Sequence, residues 1–278
     1  MSYKIVVDSC CELPDELLQD PRFVRVPLGI EVGDYRIQDD DDFDQKVFLK
    51  KVAECPQCPR SSCPSPELFM EAYRGDADHV YVVTLSSHLS GSYNSAKLGM
   101  DLYREKYGDK QIHVVDSESA SGGETQLALK LVELEETGLS FEEIVKQIES
   151  YRDSVHTYFV LDNLDTFIKN GRISGIKALA VSSLNIKPVM IGVKGKIEQK
   201  SQSIGIRKAL AKMAEFAAAE VDQSEERRLI ITHCNELSRA EMVKEIILAK
   251  RKFKECIVMD MRGISSMYAN DGGVIVTT

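Results

Sequence analysis

Short apolar runs alternate with helical patterns along almost the whole chain. The runs KIVVDS, VYVVTL, IHVVDS, TYFVLDN, IKPVMIGV, RLIITHC, CIVMDM and GVIVTT are nearly continuous apolar stretches, the pattern of strands covered on both faces. Between several of them, apolar residues recur every three or four positions, which marks amphipathic helices. Phe141, Ile144, Val145, Ile148 and Tyr151 form one stripe, preceded by a capping box from Ser140 to Glu143. Met242, Ile246, Ala249 and Phe253 form another, with SRAE (Ser238 to Glu241) as its expected capping box, and Ile206, Leu210, Met213 and Ala217 make a third. Strands alternating with helices of this length predict an α/β fold with mostly parallel sheets.

The length of 278 residues suits two modest domains. No Pro/Gly/Ser linker divides the chain. The end of the helical stripe at Tyr151 places the boundary between residues 1–153 and 154–278, and a ligand crevice is expected between the halves. The net charge of −9 argues against nucleic acid, whose phosphates need a basic face. No apolar run reaches the length of a membrane span, and MSYKIVVDS lacks the apolar core of a signal peptide. Seven cysteines, an odd number in so long a chain, suit reduced thiols. The expectation is a cytoplasmic protein.

Two hydroxyl-rich stretches stand out. In VYVVTLSSHLSGSYNSA a strand gives way to Ser86, Ser87, Ser90, Ser92 and Ser95 around Gly91 before helical periodicity resumes. Backbone N–H groups, hydroxyls and the helix dipole then converge where an anion would be favoured. Ordinary capping and turn chemistry is the other reading, and both stay open here. CPQCPRSSCPSPELF carries Ser61, Ser62 and Ser65 among four prolines, which excludes a regular helix or a central strand and leaves a shaped loop.

Other motifs point away from catalysis and metal. Cys55 and Cys58 are half of a zinc knuckle without a second pair. Asp39 to Asp42 lack the glycine and terminal glutamate of a calcium loop, so a solvated loop is expected. Asp8 ends a strand without the second aspartate of a phosphoryl-transfer motif, which suits a structural or head-group-supporting role. His233 reads as a hydrogen-bonded core residue. HLSGS does not match a nucleophile elbow.

Taken in order, VVDSCCELP, SSCPSPELF, SSHLSGSYNSA, VVDSESASGG, LDNLDTFIKNGRIS and LNIKPVM resemble the signatures of the DegV family of bacterial fatty-acid-binding proteins. The resemblance covers nearly the whole chain. It implies two α/β domains that hold one long-chain fatty acid between them, with residues 154–278 covering the acyl chain. It further implies no intrinsic catalysis, no cofactor and no metal, and presentation of the acyl group to a fatty-acid kinase. Ser61, Ser62 and Ser90, with the backbone of Gly91, match the carboxylate-binding positions. Tyr268 in YANDGG stands where the family has a histidine, and Cys63 where it has a glutamine. Arg172 matches a family arginine, a candidate for phosphate or partner contact; a second arginine is out of register, since Ile204 lies near its place and Arg207, also a candidate contact, follows. An enzyme or regulator binding a phosphorylated sugar is the alternative, because sugar-isomerase domains use similar Ser-Gly turns at helix starts.

Overall fold

The structure is a computed structural model that describes residues 2–173 and 185–278. Ser174 of NGRIS and Leu184 of LNIKPVM fall outside the described residues. The chain begins with β1 (Tyr3–Asp8), α1 (Asp15–Leu18), β2 (Phe23–Val26), β3 (Gly29–Val32), β4 (Tyr35–Gln38), α2 (Gln45–Glu54), β5 (Arg60–Ser62) and α3 (Pro66–Ala72). Next come β6 (His79–Thr84), α4 (Ser92–Tyr107), β7 (Gln111–Asp116), α5 (Gly122–Glu136) and α6 (Phe141–Arg152). There follow β8 (Thr157–Val160), α7 (Asp165–Lys169), β9 (Ile186–Val193), β10 (Lys196–Ile204) and α8 (Ile206–Glu220). The last elements are β11 (Arg228–His233), α9 (Leu237–Leu248), β12 (Glu255–Asp260), α10 (Gly263–Ala269) and β13 (Val274–Thr277).

The first sheet, in the order β2-β1-β6-β7, is wholly parallel. Strand alternation sends Ile5, Val7, Tyr81 and Val83 toward α5 and α6, and Val6, Val80 and Val82 toward α3 and α4. Burial on both faces is why these strands read as continuous apolar runs.

The second sheet, β10-β9-β8-β13-β11-β12, departs from the mostly parallel pairing expected of it. Only β11 and β12 pair in parallel; every other neighbour is antiparallel. The reason lies in the connections. β9 and β10 are joined by the two-residue turn Lys194-Gly195, which is too short for a crossover, and β13 returns between β8 and β11. One face of this sheet buries Tyr158, Val160, Val274 and Val276 against α8 and α9. The alternate residues Phe159 and Leu161 face the first half of the molecule.

Helix α5 packs against both sheets, touching β1 and β6 on one side and β11 and β13 on the other. A third sheet, β4-β3-β5, buries Leu28, Ile30 and Val32 together with Phe48 of α2 and Ile264 and Met267 of α10. The proline-rich stretch supplies β5 at the edge of that sheet, where proline is tolerated. The Ser140–Glu143 capping box forms as expected. The one expected at Ser238 does not: α9 begins at Leu237, and the Ser238 hydroxyl donates to Glu236 instead. Among the described residues no helix is long and apolar enough to cross a membrane.

Candidate functional site

The crevice between the two main sheets encloses about 850 Å³ of empty space, its mouth included. Most of its wall is apolar, from Leu28, Leu85 and Leu89 on one side to Phe159, Phe167 and Ile275 on the other. Ser61, Ser90, Arg172 and Tyr268 also reach this wall.

Each polar group is held by its own element. Ser61 lies on β5, and its hydroxyl is 3.4 Å from the Tyr268 hydroxyl, close enough for a bond with either as donor. The Tyr268 ring in α10 packs on Phe167, centroid to centroid 4.7 Å. Ser62 faces the other way, because neighbouring residues on a strand alternate faces. It is exposed, pairs with Gly29 and is not on the cavity wall.

Of the five hydroxyls after β6, only Ser90 lines the cavity. Its Oγ accepts the Ser92 N–H at 3.2 Å and lies 3.2 Å from the Ser92 hydroxyl. The Ser86 hydroxyl donates to the Gly195 carbonyl at 2.7 Å, and so ties the first half of the molecule to the β9–β10 turn. Ser95 bonds weakly to the Cys63 thiol at 3.7 Å. Gly91 is exposed and caps α4; a Cβ there would sit 3.0 Å from the Cys63 sulfur. Glycine therefore lets the two serine loops approach each other.

Asn170 and Arg172 stitch those loops together. The Asn170 amide donates to the Pro59 carbonyl at 2.9 Å, and Arg172 Nε donates to the Leu89 carbonyl at 3.0 Å. A second guanidinium nitrogen of Arg172 donates to the Asn170 carbonyl. A fixed cation thus stands on the cavity wall, at the arginine for which the family resemblance implied phosphate or partner contact. Arg207, in the first turn of α8, is exposed and away from the cavity. The residues that sequence reasoning missed are Ser119, Ser121, Thr157 and Ser265, all on the wall. The Ser119 and Thr157 hydroxyls bond to each other at 2.7 Å. The alternate serines of VVDSESASGG were the available signal for the first two.

Beneath this wall lies a group of buried acids. Asp8 is fully buried and accepts N–H bonds from Leu85 at 3.0 Å and Cys10 at 3.1 Å; burial nonetheless pushes its carboxyl up to about 6. Glu12 accepts the Arg262 N–H at 2.9 Å, and burial pushes it up to about 8. Asp39 departs from the solvated loop expected of it. It is buried and accepts the Gly263 and Ile264 N–H groups, both at 2.9 Å, at the start of α10. The three acids after it are exposed.

His233 is buried, accepts the Glu236 N–H at 3.3 Å, and has its pKa lowered by burial. Cys55 lies against Gly33, whereas Cys63 lies against Gly91 and Ser95. Among the described residues no three Cys, His, Asp or Glu side chains gather as metal ligands would.

Comparison with known proteins gives concordant matches. The family model described as "Uncharacterised protein, DegV family" matches residues 2–277. A DegV domain-containing protein of Streptococcus pyogenes serotype M1 is 37% identical over 283 residues, covering 99% of each chain. Among solved structures, a DegV family protein from Ruminococcus gnavus ATCC 29149, described with vaccenic acid, is 50% identical with a TM-score of 0.98. That alignment covers 100% of this chain and 99% of the other. The Streptococcus pneumoniae Fatty Acid Kinase (Fak) B3 protein, loaded with linoleic acid, is 32% identical with a TM-score of 0.89, over 100% and 99% of the two chains.

Proposed function

The chain belongs to the DegV family, and from that premise we propose that it binds one long-chain fatty acid in the crevice and carries no intrinsic catalytic activity. The observation that carries this reading is an apolar cavity whose serine, tyrosine and arginine groups can meet a carboxylate. A buried carboxylate must find donors or it is neutralised. On this reading Ser61, Ser90, Tyr268 and Arg172, all on the cavity wall, supply them. The tail contributes affinity through burial, about 0.8 kcal/mol per methylene before ordering costs. A sugar phosphate would leave most of this wall facing polar groups, so the phosphosugar alternative has little support.

The halves 1–153 and 154–278 then act as the two sides of a clamp, with the serine loops on the first and the Phe159 face on the second. We further propose that the bound acyl group is presented to a fatty-acid kinase in the cytoplasm. The relative described as a Fatty Acid Kinase B3 protein supports this, and exposed Arg207 is a candidate contact. Denaturing mass spectrometry of a solvent extract of the purified protein tests the central reading. One long-chain fatty acid per chain is expected. An extract without lipid, together with no thermal shift on adding fatty acid to the stripped protein, would overturn it.

A further inference from the structure

Glu124, in the first turn of α5, is completely buried, and as a carboxylate neither of its oxygens has a hydrogen-bond donor. Its titratable neighbours are Asp8, Glu12 and the thiols of Cys10 and Cys11. None is a cation. The guanidinium of Arg262 acts on Glu12, and the faces of β11 and β13 toward α5 bring Thr232 and Thr277. An ionised carboxylate in such a place is costly without partners. Two adjacent buried carboxyls relieve that cost by sharing one proton. Burial and the neighbouring Asp8 charge both raise Glu124, so the shared proton is assigned to Glu124, beside the Asp8 carboxylate.

Asp8 in turn holds the wall of the crevice. Its two oxygens fix the N–H groups of Leu85 and Cys10, both of which line the cavity, and Leu85 opens the turn that ends at Gly91. Ser92 also borders Asp8 and touches the Ser90 hydroxyl, so the carboxyl pair stands one side chain behind the head-group position. We propose that Asp8 and Glu124 are positioning residues, a proton-sharing carboxyl pair that fixes the head-group turn and whose loss of the shared proton weakens binding of an anionic acyl ligand. This rests on the fatty-acid reading above. A second negative charge there breaks the arrangement at Asp8 and repels a carboxylate across a low-dielectric wall.

The test uses the full chain stripped of lipid, with oleate and the uncharged oleyl alcohol as ligands between pH 6 and 9. For the parent, the oleate Kd should rise about tenfold across this range, one pK unit of differential interaction, while the alcohol Kd stays level. Glu124→Gln keeps a donor for Asp8 but has no proton to lose, so whatever its oleate affinity at pH 6, that affinity should stay level to pH 9. Infrared spectra of the parent minus those of Glu124→Gln at neutral pH should show a carboxylic-acid C=O band beyond the one that Glu12 contributes to both. The same slope in Glu124→Gln, a parent that binds oleate equally at every pH, or the absence of that band would overturn the inference. Failure of oleate to bind the parent at any pH would overturn the fatty-acid reading, and this inference with it.

Discussion

Ser90 is the residue on which the head-group reading turns, since it alone of its hydroxyl cluster reaches the cavity. Ser90→Ala should weaken oleate binding by roughly 1–3 kcal/mol, because a buried carboxylate loses a donor, and should change oleyl alcohol binding much less. Ser62→Ala is the internal comparison; its side chain faces solvent, so binding should stay near that of the parent. Tyr268→Phe should cost about 1 kcal/mol if its hydroxyl bonds only Ser61, and about 1.5–3 kcal/mol if it donates to the carboxylate itself. Titration calorimetry with both ligands reads all three. Equal losses for acid and alcohol in Ser90→Ala would place Ser90 away from the carboxylate. At this scale the sequence was half legible. The family resemblance offered Ser61, Ser90 and Tyr268, which lie on the cavity wall, whereas the opposed directions of Ser61 and Ser62 follow from a strand edge that a proline-rich stretch concealed. Glu124 could not have been found, because a glutamate in the first turn of a helix ordinarily reads as a dipole-compatible surface residue.

The elements most readily legible were those whose burial matches their period: β1, β6 and β11 as apolar runs, and α6 as a capped stripe. β10 (KIEQKSQSI) escaped because it is an edge strand whose nine residues are mostly polar. Yet its turn matters. Lys194 and Gly195 both have positive φ, +48° and +76°, as a tight two-residue hairpin requires. A Cβ at Gly195 would lie 2.5 Å from the Ser86 hydroxyl and 3.0 Å from His88. Gly195→Val should therefore combine backbone strain with a clash at the clasp between the two halves. An expected loss of about 1–3 kcal/mol of stability should be accompanied by faster fatty-acid release. Stopped-flow displacement measures the second effect. An unchanged release rate in a variant with lowered Tm would mean that the turn stabilises the fold without restraining the ligand.

At the scale of the molecule, the buried acids set how stability responds to pH. Glu12 has a folded pKa of about 8 against an ordinary 4.5, and Glu124 is raised well above 4.5. Between those limits the unfolded chain has released protons that the folded chain keeps, so stability falls as pH rises through the window. Asp8 contributes in the same sense from 3.8 to about 6. Half-buried His156 and buried His233, with lowered pKa values, act in the opposite sense, since stability rises as the unfolded imidazoles lose their protons near 6.5. Glu133, held down to about 2 by Lys254 and Arg228 against the effect of burial, loses its contribution as pH falls below 4.5. Above pH 6.5 the protons left on the unfolded imidazoles offset the acids by no more than about 0.4 kcal/mol for each histidine, so the net fall from there to pH 8 belongs to Glu12 and Glu124. One proton is worth 1.36 kcal/mol per pH unit, so Glu12 alone should remove about 2 kcal/mol over that interval. Urea unfolding of the stripped protein at constant ionic strength should show a midpoint that declines between pH 6.5 and 8. Glu12→Gln should remove a large part of that decline while retaining an amide that can accept the Arg262 N–H. A midpoint that holds level or rises over this interval in the parent would mean that both acids are ionised in the folded state, with water or a cation reaching them.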